Sequence, residues 1–102
     1  MRIIWTAFAI DTLKSIVEYH KEVANPKVAV KIRKEIFSST GQLLKYPESG
    51  QTELLLKHLN ENYRYILSGN YKVIYKIIKN DIVITDIFDT RQNPTKIDRS
   101  QE

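Results

Sequence analysis

Arg64, Lys72, Lys76 and Arg91 are spread through a stretch that also holds Tyr63, Tyr65, Tyr71 and Tyr75. Cations hold phosphate oxygens and tyrosine rings stack on nucleobases, so this mixture can grip a nucleic acid strand. The same residues also read as a solvated sheet face with internal ion pairs, the ordinary place for charged side chains. Arg91 follows closely on Asp89 and can pair with it at the surface. Tyr71 and Tyr75 alternate with Val73 and Ile77, which assigns both rings to a core with their hydroxyls at its edge.

Other chemistries find little support. Without cysteine there is no thiolate nucleophile, disulfide framework or cysteine metal site. His20 falls on an apolar helical stripe and reads as a packed or edge histidine rather than a base. His58 has no identified carboxylate partner. No His, Asp and Glu set has metal-ligand spacing, so neither a metal nor a cofactor is expected.

The elements that must position these side chains can be read from periodicity. Arg2-Ile3-Ile4-Trp5 is a short strand, and Thr6 caps the helix that follows. Ala9, Leu13, Ile16, Val17, His20 and Ala24 form one apolar stripe, with Asp11, Lys14, Glu18, Lys21 and Glu22 largely off it. Asn25-Pro26 ends this helix and starts another, whose stripe is Val28, Ala29, Ile32, Ile36 and Leu43. Lys27, Lys31 and Lys34 make a basic row on a neighbouring face. So tight a connection predicts an antiparallel helical hairpin.

Tyr46-Pro47 and Gly50 close the second helix, and residues 47–62 are turn-rich, with a short turn or strand entry near Glu53 to Leu56. Beyond them the period becomes two. Tyr63 to Leu67 is a strand, Ser68-Gly69-Asn70 a hairpin turn, Tyr71 to Lys79 a second strand, and Ile82 to Phe88 a third. Tyr71, Val73, Tyr75 and Ile77 share one face; Lys72, Ile74, Lys76 and Ile78 share the other. The order β-α-α-β-β-β is an α+β fold, a helical hairpin packed on a small, twisted, mainly antiparallel sheet.

The chain's 102 residues fit a single domain over 1–102, polar from about residue 95. Folding at this length buries roughly 65% of the unfolded surface, enough for a modest core. The apolar runs are far short of the roughly 20 residues that cross a membrane, and the N-terminus has no signal-peptide pattern. A cytoplasmic location without membrane contact is expected. The net charge of +4 is a mild bias that permits a polyanion or an acidic protein as partner without requiring one.

The order and spacing of several segments resemble the RelE/ParE toxins of bacterial type II toxin–antitoxin modules. Trp5-Thr6 before a helix with Ala9, Leu13 and Ile16 is similar to the family's start. Leu44, Tyr46-Pro47 and Gly50 are similar to its post-helix turn. Tyr63-Arg64-Tyr65, Gly69-Asn70-Tyr71-Lys72-Val73-Ile74-Tyr75 and the closing Asp89 to Pro94 carry the most specific likeness.

The resemblance implies a small toxin held in a hetero-oligomer by its cognate antitoxin. Members of the RelE-like branch are endoribonucleases that cut mRNA in the ribosome; ParE-like members poison DNA gyrase and are not enzymes in that role. Fold alone does not separate the branches. Positions matching the nuclease cations are Arg64, Lys72 and Arg91, which would instead contact the target in a non-nuclease. Lys72 stands where the family often has Arg, and so offers a point charge in place of a two-pronged phosphate contact. Ile66 and Ile97 stand where such nucleases often place a basic residue and a proton donor. RNA cleavage without a metal needs that acid–base pair, so the resemblance favours the ParE-like branch. An inactive relative that only binds an antitoxin and co-regulates the operon is a third reading.

Overall fold

Two side-chain caps set the helical layer. In the computed structural model, which describes residues 1–101, the Ala9 amide donates to Thr6 Oγ1 at 3.1 Å. Helix α1 (Ala7–Val23) begins there, after strand β1 (Arg2–Trp5). The Val28 amide donates to Asn25 Oδ1 at 2.9 Å, and Pro26 opens α2 (Pro26–Ser39) without losing a hydrogen bond. The single turn α3 (Gln42–Lys45) buries Leu43. The predicted hairpin and both of its caps are present.

The sheet adds β2 (Gln51–Thr52), β3 (Arg64–Ser68), β4 (Tyr71–Ile78) and β5 (Asp81–Asp89), in the order β1-β5-β4-β3-β2. Only the β1–β5 pair is parallel; the others are antiparallel. Leu54–Leu59, expected as a turn or a strand entry, is a 3₁₀ segment, and the neighbouring strand is β2. Pro94–Gln101, in the polar end of the chain, is a second 3₁₀ segment.

One sheet face meets the helices. Val73, Tyr75, Ile82, Ile84 and Ile87 are fully buried there with Ala9, Ile36 and Leu43. On the other face Ile74 and Phe88 pack with Leu56 and Tyr63 and with Ile97 of the second 3₁₀ segment. The predicted face assignment of β4 holds along its length. In β5 the pairing to β4 skips Thr85, a bulge that reverses the alternation. Ile84 and Ile87 therefore share the helix face, whereas Phe88 lies on the opposite one.

Candidate functional site

The three expected cations occupy three separate places. Arg64 is opposite Tyr75 in the β3–β4 register. Its Nη1 donates to the carbonyls of Gly50 at 2.9 Å and Glu48 at 3.2 Å, so it pins the turn before β2. Lys72 Nζ is 2.7 Å from Glu53 Oε2, whose carboxylate is buried, and lies 4.4 Å from the Tyr65 ring centroid. Lys76 is similarly engaged, 2.9 Å from Glu61 and over the Tyr63 ring. Each of these ammonium or guanidinium groups completes the fold where it stands.

Arg91 alone of the three lies on a cleft. Beyond the end of β5 it makes a two-pronged contact with Asp89, Nε to Oδ1 at 2.9 Å and Nη2 to Oδ2 at 2.8 Å. Its own amide also donates to Asp89 Oδ1 at 2.9 Å. The guanidinium holds the Asp89 carboxyl below the usual carboxylate range and is itself raised by that carboxylate. Arg91 remains exposed, and the pair with Asp89 leaves part of its donor set available.

The cleft, about 540 Å³, runs between one flank of α1 and the end of the sheet. Phe8, Thr12 and Tyr19 form the helical wall, Ile16, Tyr71 and Ile87 line it further, and Asp89, Arg91, Gln92 and Arg99 line the polar side. At one end His20 Nε2 lies 2.8 Å from the Tyr71 hydroxyl. The Tyr71 phenol is pushed up mainly by burial. Arg99 pairs with the fully buried Asp86 and packs within reach of the Phe8 and Phe88 rings. Burial pushes the Asp86 carboxyl up against the opposing pull of Arg99. An apolar wall facing the exposed Arg91, whose pair with Asp89 leaves donors available, suits a peptide or ligand with one carboxylate or phosphate beside an apolar group.

Phe8, Tyr19, Arg99 and Asp86 are absent from the sequence reading of the site. Phe8, Thr12 and Tyr19 follow helical spacing beside the main stripe, a signal available in the sequence. Nothing local points Arg99 toward Asp86, because the bulge at Thr85 decides which way that carboxylate faces. Among the described residues no group of His, Cys, Asp and Glu side chains is placed to hold a metal ion.

The family model for the ParE toxin of the type II toxin–antitoxin system parDE matches residues 3–94. The chain belongs to the ParE toxin family. The fold is similar to a solved structure described as the chromosomal ParDE TA system from P. aeruginosa. That likeness has a TM-score of 0.76 at 17% sequence identity, covering 89% of this chain and 97% of the other. No curated protein matches the sequence. The fold shared with that structure combines the helical hairpin with the sheet, and no described helix is long and apolar enough to cross a membrane.

Proposed function

We propose that this ParE-family chain is a cytoplasmic toxin that poisons DNA gyrase and is neutralised by a cognate antitoxin. One observation carries the choice over RNA cleavage: the positions that would need a base and an acid are Ile66 and Ile97, 8% and 3% exposed. Arg64 and Lys72 do not replace them, since each is bound to a carbonyl or a carboxylate of the fold. Metal-free cleavage without a free base and a proton donor loses most of its acceleration. A toxin that works by occupying its target needs only a binding surface, and Arg91 offers an exposed one.

The antitoxin segment belongs in the cleft between α1 and Arg91. An acidic side chain over Arg91 and an apolar one against Phe8 and Tyr19 would match its two walls. Purified protein is expected to inhibit gyrase supercoiling or trap cleaved DNA, and to leave ribosome-bound mRNA intact. Codon-dependent mRNA cleavage that disappears in Arg64→Ala would replace the gyrase reading with the nuclease one.

A further inference from the structure

The outer face of the helical hairpin forms two ridges, mixed but net acidic on α1, where the exposed Lys14 and Lys21 lie among Asp11, Glu18 and Glu22, and net basic on α2. In α1, Asp11, Glu18 and Glu22 fall at i, i+7 and i+11, on the side away from Ala9, Leu13 and Ile16. In α2, Lys27, Lys31 and Lys34 fall at i, i+4 and i+7, on the side away from the buried Ala29 and Ile36. All six are exposed. The only ion pairs they make among the described residues are local, Lys21–Glu18 and Lys31–Glu35, both at 3.9 Å. None joins one ridge to the other.

Between the ridges lies an apolar groove of about 390 Å³. Ile10, Leu13 and Val17 of α1 face Phe37 of α2, which stacks on Trp5 at 5.8 Å. Ile10 is 42% and Phe37 58% exposed, a large apolar surface for a small domain. Lys14 and Glu18 of α1 and Arg33 of α2 flank the groove.

From this charge pattern we infer that the outer face of the hairpin binds a second copy of this chain. A two-fold axis parallel to the helices lays α1 of one copy over α2 of the other, twice. Because Ala24 and Asn25 join the helices directly, Glu22 stands level with Lys27 and Glu18 level with Lys31. The symmetry thus brings Glu22 and Glu18 of each copy onto Lys27 and Lys31 of the other, with Asp11 and Lys34 at different levels, and sets groove against groove. Duplex DNA on the lysine row would face the carboxylates of α1 alongside, so the charge pattern favours self-association. Helices of this length bury on the order of 1,000 Å² across such a contact, the lower end for a specific interface. The dimer is therefore weak and salt-sensitive. It uses the flank of α1 opposite to the cleft and does not depend on the proposed target.

Charge reversal tests the proposal with the full-length chain. Sedimentation velocity should show a monomer–dimer equilibrium at about 50 mM salt, weakened at least tenfold at about 500 mM. Reversing α2 (Lys27→Glu, Lys31→Glu, Lys34→Glu) or α1 (Asp11→Lys, Glu18→Lys, Glu22→Lys) should leave either variant monomeric with an unchanged circular dichroism spectrum. Mixing the two reversed variants should restore a heterodimer, because a mainly acidic face then meets a mainly basic one. Wild-type protein that stays monomeric at 200 µM in low salt overturns the proposal. So does a dimer indifferent to both reversals. Binding of duplex DNA lost on reversing the lysines, without any dimer, assigns the face to DNA and also overturns it.

Discussion

Asp86 and Arg99 join the closing segment of the chain to the middle of β5. The Asp86 carboxylate is fully buried, and Arg99 reaches it with Nη2 at 3.1 Å and Nε at 3.2 Å. Arg99 also lies between the Phe8 ring of α1 and the Phe88 ring of β5. A buried ion pair contributes little net stability relative to apolar packing, but removal of one partner is costly. One side chain therefore couples the second 3₁₀ segment, the sheet and the wall of the cleft.

Arg99→Ala should destabilise the protein by about 2–4 kcal/mol at pH 7, because it leaves a buried carboxylate without its cation. The folded Asp86 carboxyl already lies above its ordinary value through burial, and the variant loses the opposing pull of Arg99. Its native state thus binds a proton that the unfolded state releases. Below the unfolded value both states are protonated and the deficit is smallest; it grows as pH rises through the folded value. Denaturant melts of wild type and variant at pH 4 to 7 measure this difference, and the effects of other carboxylates cancel in the subtraction. Adding Asp86→Asn to Arg99→Ala should flatten the pH dependence.

Tyr75 ties the turn before β2 to the sheet. Its hydroxyl donates to the Pro47 carbonyl at 2.7 Å and accepts from the Gly50 amide at 3.0 Å. Tyr75→Phe leaves both backbone groups without that partner and should cost about 1–3 kcal/mol. A Cβ on Gly50 would lie 2.5 Å from the Tyr75 hydroxyl oxygen and 2.8 Å from the Tyr65 carbonyl. Gly50→Ala should therefore be at least as damaging, since one of the two obstacles is backbone. Chemical denaturation of both variants gives the comparison; a neutral Gly50→Ala would show that the turn shifts freely.

The contrast between legible and illegible parts follows the range of the signals. Thr6 and Asn25-Pro26 act on amides within one turn, so their caps can be read directly from local sequence. Alternation in β4 likewise placed Tyr71 and Tyr75 in the core, where they are 7% and 0% exposed. The parallel pairing of β1 with β5 joins residues almost a full chain length apart, and no local pattern encodes it. For Lys72 the sequence allows either a phosphate contact or an ion pair on a solvated face, and names no partner; the structure supplies the buried Glu53 carboxylate. Ile97 sits in a polar stretch with no apolar period, and only the second core on the far face of the sheet accounts for its burial. The site is hardest to read where a residue's role depends on a partner from another element.

Arg91 should matter for toxicity more than for folding. It is exposed, and its ion pair among the described residues is with its near neighbour Asp89, through two parallel hydrogen bonds. Screening by water makes such a pair a small contributor to stability, so Arg91→Ala should move the melting temperature by no more than about 3 °C. Its removal should let the Asp89 carboxyl rise toward the ordinary carboxylate range, a change visible by NMR titration. The sign is fixed by the depressed value: Asp89 favours the folded state above its unfolded value, and that contribution fades as pH falls through the folded one. Binding should respond quite differently. A guanidinium at the polar side of the cleft can meet a carboxylate or phosphate with two parallel donors, which the single ammonium of lysine cannot reproduce. Loss of one charge-assisted contact lowers affinity roughly ten- to a hundredfold. Growth inhibition and antitoxin capture should therefore both weaken in Arg91→Ala, and recover only in part in Arg91→Lys. Full toxicity and full capture in both variants would show that Arg91 serves only to pair with Asp89.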